Sequence, residues 1–189
     1  EKARGPEFAR KLVAVIGDST FLHSGITGLV DVVYNGGTFT TVLLDNSTTA
    51  MTGHQPNPGV GREHGGVETP SIPLEPIVRA CGVENVRTVD PYDLETTTEA
   101  IKQAVESGSL SVIIAEHPCP LAERKEGKLK RSTYGIDRDR CVRCYTCVSR
   151  LSCPAISKDG KDVRIDVTMC IGCGICAQVC PKDAIGVRE

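Results

Sequence analysis

The sequence contains no tryptophan, and aromatic residues make up only 4% of its 189 residues. No stretch approaches the roughly 18 consecutive apolar residues of a membrane-spanning helix, and residues 1–10 are too charged to form the apolar core of a secretion signal. The formal net charge is only −2, which is no footprint for nucleic-acid binding. We therefore expect neither a membrane nor a nucleic acid among the partners of this chain.

Cysteine is concentrated in the last third of the chain, where eight of the ten cysteines form two runs that each end in Cys-Pro. This spacing is typical of proteins with two [4Fe-4S] clusters, in which the last cysteine of each run binds the cluster held mainly by the other run. The pattern predicts one cluster on Cys141, Cys144, Cys147 and Cys180, and a second on Cys170, Cys173, Cys176 and Cys153.

The two cysteine runs belong to an internal repeat. Ile136-Asp137 precedes the first run as Ile165-Asp166 precedes the second, and Ala155-Ile156 corresponds to Ala184-Ile185, always 29 residues apart. The first run has five residues between its third and fourth cysteines, where the bacterial pattern has three. We expect a small α+β ferredoxin-like domain of two similar halves and two clusters at residues 134–189.

Two other readings of the cysteines are weaker. A disulfide framework would need an exported chain, and zinc sites usually lack two interlocked triplets ending in Cys-Pro. So many metal-binding thiolates indicate the reducing cytoplasm. Cys81 continues an apolar helical series and is expected to be a buried core thiol, and Cys119 is expected to pack, although it follows a strand and could approach a site.

Residues 1–122 show an alternation of strands and helices. Apolar strands are predicted at 11–16, 41–44, 86–89 and 110–115, and helices at 25–34, 74–81 and 94–105. This order is typical of an α/β domain with a parallel sheet covered on both faces. The basic stretch that follows, residues 123–133, is interpreted as a charged linker between the two domains; an alternative is a docking site for an acidic ferredoxin.

Polar residues follow the first two predicted strands, where a parallel sheet collects its ligands. Gly17-Asp18-Ser19 ends one strand and Asp45-Asn46-Ser47 ends the next. The oxygens of Asp18 and Asn46 suit Mg²⁺, although Gly-Asp after a strand is also a common turn. The pair resembles the thiamine diphosphate signature, which is Gly-Asp-Gly followed by Asn-Asn. This chain has Ser19 in place of the last glycine and Asp45 in place of the first asparagine. The resemblance implies Mg²⁺ on Asp18, Asn46 and the Thr48 carbonyl, with Gly17, Ser19 and Asp45 also at the cofactor.

A longer resemblance covers nearly the whole chain. The sequence is similar to the alpha subunit of indolepyruvate ferredoxin oxidoreductase at residues 15–21, 23–27, 44–59, 80–83 and 89–94 and in both cysteine runs. This resemblance implies a partial thiamine diphosphate-binding domain followed by the ferredoxin domain. It also implies oxidative decarboxylation of arylpyruvates to aryl-acetyl-coenzyme A, with electrons leaving through the two clusters to an external ferredoxin.

The resemblance also implies partners. The family uses a pyrimidine-binding domain, which would precede this region or lie on a separate chain, and a beta subunit. The chain is therefore expected to be a fragment or one subunit of a split enzyme that does not turn over alone. Two alternatives remain: an electron-transfer module without catalysis, and an enzyme for another 2-oxoacid such as pyruvate.

Two histidines, His23 and His54, lie in the predicted cofactor loops. Each is a tentative catalytic group that could polarise the substrate or relay protons, and each could equally be a loop histidine bonded only to backbone.

Overall fold

The computed structural model describes residues 5–128 and 132–188, and the chain divides into two compact units, Glu1–Ala122 and Glu123–Glu189. Two regular elements extend into the predicted linker: helix α6 (Pro120–Lys125) at its start and strand β5 (Thr133–Ile136) at its end. Residues 129–131 of that linker lie outside the described residues. No helix in the part of the chain described has the length and apolar composition to cross a membrane.

The first unit alternates strands and helices as predicted. Its strands are β1 (Val13–Gly17), β2 (Thr40–Asp45), β3 (Asn85–Val89) and β4 (Ser111–Glu116). Its helices are α1 (Pro6–Arg10), α2 (Asp18–Thr20), α3 (Ile26–Tyr34), α4 (Leu74–Ala80) and α5 (Leu94–Ser107), with a π-helical turn at Phe21–Gly25 and a 3₁₀ turn at Ala50–Thr52. The predicted elements are all present, with ends shifted by no more than two residues.

The four strands form one parallel sheet in the order β1-β2-β4-β3. One face carries Leu43, Val112 and Ile114, which pack with Leu29 and Val78 of helices α3 and α4. The opposite face carries Val42, Ile113, Ala115 and Val89 against Ala100 and Ala104 of α5. Because the buried residues of β4 alternate between two cores, the continuous apolar run at residues 112–115 is explained by burial on both sides.

The expectation of a fully covered sheet is wrong for the edge strand β1. Val13 is 43% exposed and Val15 is 63% exposed. Helix α5 packs against the face of β2, β3 and β4 but the second core does not include Val13 or Val15. The apolar sequence of β1 therefore identifies the strand, whereas its burial depends on what packs at the sheet edge.

Helix α5 has the best-defined ends in this unit. The Asp93 carboxylate accepts the Thr96 backbone N–H at 3.0 Å and the Thr96 hydroxyl at 2.6 Å, and Gly108 ends the helix at φ 64°. The hydrogen bonds to Thr96 also lower the pKa of Asp93.

We expect Asp93→Ala to lower the melting temperature of the protein by a few degrees, because the cap bond is lost, whereas Asp93→Asn retains an equivalent acceptor. Because the folded-state pKa of Asp93 is depressed, the ionised carboxylate stabilises the fold above its unfolded pKa, and this contribution disappears as the pH falls through the folded value. Thermal melts at neutral and acidic pH measure both effects. Equal melting temperatures of the Ala and Asn variants at neutral pH would contradict the assignment.

The second unit is a repeat in three dimensions as well as in sequence. Strands β5 (Thr133–Ile136) and β7 (Asp162–Ile165), helices α7 (Thr146–Ser149) and α8 (Ile175–Gln178), and strands β6 (Ile156–Asp159) and β8 (Ile185–Arg188) form three pairs offset by 29 residues. Strand β5 pairs antiparallel with β8, and β6 pairs with β7. The predicted α+β domain of two similar halves is confirmed.

Candidate functional site

The first two strands bring their polar ends together. In the register of the sheet Gly17 lies beside Leu44, so Asp18 and Asp45 leave neighbouring strands at the same edge. Asp18 begins helix α2 directly after β1, and its side chain is buried at 5% exposure. The Ser19 backbone N–H donates to one oxygen of Asp18 at 2.6 Å, and this bond fixes the carboxylate at the strand–helix turn.

The loop after β2 folds back over this edge through two side-chain contacts. Buried Asn57 donates its amide to the second oxygen of Asp18 at 2.9 Å, while its own oxygen accepts the Gly59 N–H. The Thr49 hydroxyl donates to the Ser19 hydroxyl at 2.8 Å. Asn57 was not predicted as a site residue. It could have been suspected from the sequence, because it lies between two prolines in the loop that contains predicted cofactor residues.

Asp18 lines a cavity of about 350 Å³, which we call the acidic cavity. Burial raises the pKa of the Asp18 carboxyl, and the charge of Asp45 raises it further, against the hydrogen bonds from Ser19 and Asn57. Two carboxylates in one partly buried site repel each other, and a divalent cation would relieve that repulsion. The acidic and amide residues that line the cavity are Asp18, Asp45, Asn57, Glu75 and Glu116.

The other predicted Mg²⁺ ligands lie in the turn after β2. The Asn46 side-chain oxygen accepts the Thr48 backbone N–H at 3.1 Å, and Thr48 is buried with its hydroxyl donating to the Gln55 carbonyl at 3.3 Å. Asp45 accepts the Ser47 N–H in the same way. Of the two adjacent residues, Asp45 rather than Asn46 is in the lining of the acidic cavity. Asp18 and Asn46 both follow adjacent strands as predicted.

The predicted catalytic histidines lie apart from the acidic cavity. His23 is exposed in the π-helical turn, and His54 is exposed in the loop after the 3₁₀ turn, where its backbone N–H donates to the Thr49 carbonyl. Neither side chain lines the acidic cavity. Cys119 comes closer to the turn, because its backbone N–H donates to the Asn46 carbonyl at 2.9 Å, while Cys81 packs half-buried against the first core.

We expect Asp45→Asn to raise the melting temperature of the metal-free protein at neutral pH, because it removes the charge that opposes ionised Asp18 while keeping an oxygen for Ser47. The gain should shrink at acidic pH, since a raised pKa means that Asp18 is protonated there and no longer repelled. Thermal melts in chelator measure this, with Glu84→Gln as an exposed control of equal charge change. A rise of the same size in the control would contradict the prediction.

The first cysteine group, Cys141, Cys144, Cys147 and Cys180, lines one apolar cavity in the second unit together with Ile136, Val163 and Ile185. Burial raises the pKa of the Cys147 thiol, and the charges of Cys180, Cys144 and Cys141 add to it. The fourth cysteine of the second run therefore lies beside the triplet of the first run.

The second cysteine group, Cys170, Cys173, Cys176 and Cys153, shows the same arrangement. Burial raises the pKa of Cys176 to about 11, with further contributions from Cys173, Cys170 and Cys153. An iron–sulfur cluster binds thiolates, so the positive charge of its iron would have to lower these raised thiol pKa values on binding. Among the described side chains, no three His, Cys, Asp or Glu residues are arranged to hold a single metal ion.

Comparison with known protein families assigns both units. Residues 2–115 match the family described as thiamine pyrophosphate enzyme, C-terminal TPP binding domain, and residues 133–181 match the 4Fe-4S dicluster domain. The first match covers more than half of the chain. Thiamine diphosphate and two [4Fe-4S] clusters are the cofactors that these two domains bind.

Full-length relatives are much longer than this chain. Indolepyruvate oxidoreductase subunit IorA of Archaeoglobus fulgidus is 45% identical over 179 residues, which cover 93% of this chain and 28% of that protein. The IorA subunit of Methanothermobacter marburgensis is 44% identical over 177 residues, covering 94% of this chain and 28% of that protein. The chain thus spans just over a quarter of these relatives.

A solved structure supports the fold. The 2-oxoglutarate:ferredoxin oxidoreductase from Magnetococcus marinus aligns with a TM-score of 0.50 at 21% identity, covering 62% of this chain and 45% of that chain. At this identity the likeness concerns the fold alone. The family matches, by themselves, show that this chain belongs to the thiamine pyrophosphate enzymes, whose C-terminal cofactor-binding domain it carries together with a 4Fe-4S dicluster domain.

Proposed function

We propose that this chain is a component of an indolepyruvate ferredoxin oxidoreductase. The enzyme would oxidatively decarboxylate arylpyruvates to aryl-acetyl-coenzyme A and pass electrons through two [4Fe-4S] clusters to ferredoxin. The observation that carries the proposal is the presence, in one chain, of a buried carboxylate at the edge of a thiamine-type sheet and two cysteine groups. The 45% identity to an indolepyruvate oxidoreductase subunit supports the aryl substrate.

In this proposal the site residues of the first unit bind the metal and the cofactor or position the groups that do so. Asp18, Asn46 and the Thr48 carbonyl would hold Mg²⁺ for binding of the diphosphate, and Gly17, Ser19 and Asp45 would line the same cofactor site. Asn57 orients Asp18 by donating to the oxygen opposite the Ser19 contact. Thiamine diphosphate supplies the stabilisation of the carbanion that decarboxylation requires.

The cysteine groups hold the electron path. Cys141, Cys144, Cys147 and Cys180 bind one cluster, and Cys170, Cys173, Cys176 and Cys153 bind the other. His23 and His54 are retained as candidate proton-transfer groups; both are exposed, so a role for either requires that the substrate approach from outside the acidic cavity.

The proposed partners are those that the resemblance to indolepyruvate ferredoxin oxidoreductase implies. A pyrimidine-binding domain, a beta subunit and an external ferredoxin complete the enzyme, and a 2-oxoacid and coenzyme A are its substrates. We place the complex in the cytoplasm, because two clusters on thiolates need a reducing compartment.

The assay that tests this function uses the chain assembled anaerobically with the pyrimidine-binding domain and the beta subunit. We expect coenzyme A-dependent ferredoxin reduction with indolepyruvate at a kcat/KM at least about tenfold above that with pyruvate. A preference for pyruvate would replace the aryl assignment. Ferredoxin reduction by chemical reductant, with no turnover of either 2-oxoacid, would instead favour the electron-transfer module.

A further inference from the structure

The two halves of the second unit differ most in the loops that precede their cysteine triplets. We call residues 137–144 the cluster-1 loop and residues 166–173 the cluster-2 loop. At the 29-residue offset, Arg138, Arg140 and Arg143 of the cluster-1 loop correspond to Val167, Met169 and Gly172. Three arginines thus stand where the other half has apolar or small residues.

The backbone makes one of these differences costly to the fold. Arg143 adopts φ 56°, and its counterpart Gly172 adopts φ 81°. Left-handed backbone is natural for glycine and unfavourable for arginine. Tyr145 adopts φ 58°, and the residue 29 positions later in the repeat is Gly174, which adopts φ 76°. The cluster-1 loop therefore keeps large side chains at positions where the fold itself would accept glycine.

The two loops also differ in exposure. Val142, Arg143 and Cys144 are all exposed, and Val142 is 58% exposed. The matching residues Ile171, Gly172 and Cys173 are all half-buried. If the first cysteine group holds a cluster, that cluster lies next to solvent under the cluster-1 loop, which carries Arg138, Arg140 and Arg143; we call these three side chains the arginine rim.

The cluster-2 loop is covered by the segment through which the chain enters the second unit. Arg124 of α6 donates to the Cys170 carbonyl at 3.4 Å, and a side-chain carbon at Gly172 would lie 2.5 Å from the Ser132 carbonyl oxygen. The Tyr134 hydroxyl oxygen would lie 2.7 Å from such a carbon at Gly174. A docked protein therefore meets an open surface at the cluster-1 loop and a covered one at the cluster-2 loop.

The arginine side chains are held at the rim by acidic residues. Arg143 and Arg138 share Asp162 at 2.8 Å and 3.5 Å, and Arg140 lies 3.7 Å from Asp183. Residues 123–189 as a whole carry 14 Lys and Arg against 9 Asp and Glu, a formal net charge of +5, whereas residues 1–122 carry 8 against 15, or −7.

We propose that the arginine rim of the cluster-1 loop is the docking surface for an acidic, single-electron acceptor protein, so that electrons leave the chain from the cluster on Cys141, Cys144, Cys147 and Cys180. This inference rests on the proposed function for the source of the electrons. In the transfer step one electron passes from the reduced cluster to the one-electron centre of the acceptor. The cluster is oxidised by one electron, the acceptor is reduced by one, and no atom or proton moves.

The test replaces the rim with the residues of the other half. The triple variant Arg138→Val, Arg140→Met, Arg143→Gly is compared with wild-type protein, both assembled anaerobically and with equal iron content. Binding of a small acidic ferredoxin is measured by thermophoresis at low and high salt, and its reduction is followed after the clusters are reduced with dithionite. Because dithionite supplies the electrons, the outcome does not depend on 2-oxoacid turnover.

We expect the triple variant to raise the Kd at least about tenfold at low salt and to reduce the salt dependence, with slower ferredoxin reduction. The control variant Lys125→Glu, Lys128→Glu makes a larger charge change in the segment that enters the unit and should leave the Kd within about twofold. If the triple variant loses iron, Arg143→Gly alone, which relieves the backbone, should still weaken binding. Unchanged binding in the rim variants, or a larger loss in the control, would overturn the proposal.

Discussion

An Asp18→Ala variant of the assembled enzyme is expected to lose Mg²⁺-dependent thiamine diphosphate binding by at least about a hundredfold while keeping its full iron content. Asp18 is the buried carboxylate at the sheet edge, and the mutation removes both its charge and two oxygens. The iron is unaffected because the cysteine groups belong to a separate compact unit. Calorimetric titration with the cofactor, together with iron analysis, measures both quantities.

Two graded variants sharpen this result. Asn46→Ala should weaken cofactor binding less than Asp18→Ala, because a neutral amide is lost. Asn57→Ala should cost about ten- to a hundredfold, since it leaves Asp18 in place but removes the amide that orients it. Normal cofactor binding by Asp18→Ala would contradict the Mg²⁺ assignment, and an Asn57→Ala variant as damaged as Asp18→Ala would indicate that Asn57 does more than orient the carboxylate.

Serine replacement of the last cysteine of each run should damage the cluster held by the other run. Anaerobic wild-type protein is expected to contain about eight iron and eight sulfide per chain, and Cys180→Ser or Cys153→Ser about half as much stable iron. The reason is that each of these cysteines lies near the triplet of the other run. The charge of Cys180 raises the pKa of Cys147, and the charge of Cys153 raises the pKa of Cys176. Iron analysis and the spectra of the reduced variants would show which cluster is lost.

Matched controls for this experiment are Cys81→Ser and Cys119→Ser, which lie in the first unit and should leave iron at the wild-type level. If Cys180→Ser instead spared the cluster of the first triplet and destroyed that of its own run, the crossed assignment would be wrong. A colourless wild-type protein that contained zinc and no sulfide would contradict both clusters.

The sequence alone determined the fold class and the cofactor types. Strand and helix periodicity revealed the alternating first unit, because burial in one element follows from residues a few positions apart. The offset of 29 residues revealed the two halves of the second unit, since similar segments fold into similar elements. The cysteine spacing predicted two iron–sulfur clusters, because the three cysteines of each triplet lie within a few residues of one another in the sequence. The match to a dicluster domain agrees with this prediction.

Only the tertiary structure decided which distant groups meet. Asn57 contacts Asp18 across 39 positions of sequence, through a loop whose path no local pattern describes. The exposure of Val15 depends on what packs at a sheet edge, and the contrast between the open cluster-1 loop and the covered cluster-2 loop depends on Arg124 and Ser132. Local patterns record the preferences of single elements, whereas contacts, exposure and charge surroundings arise from the path of the whole chain.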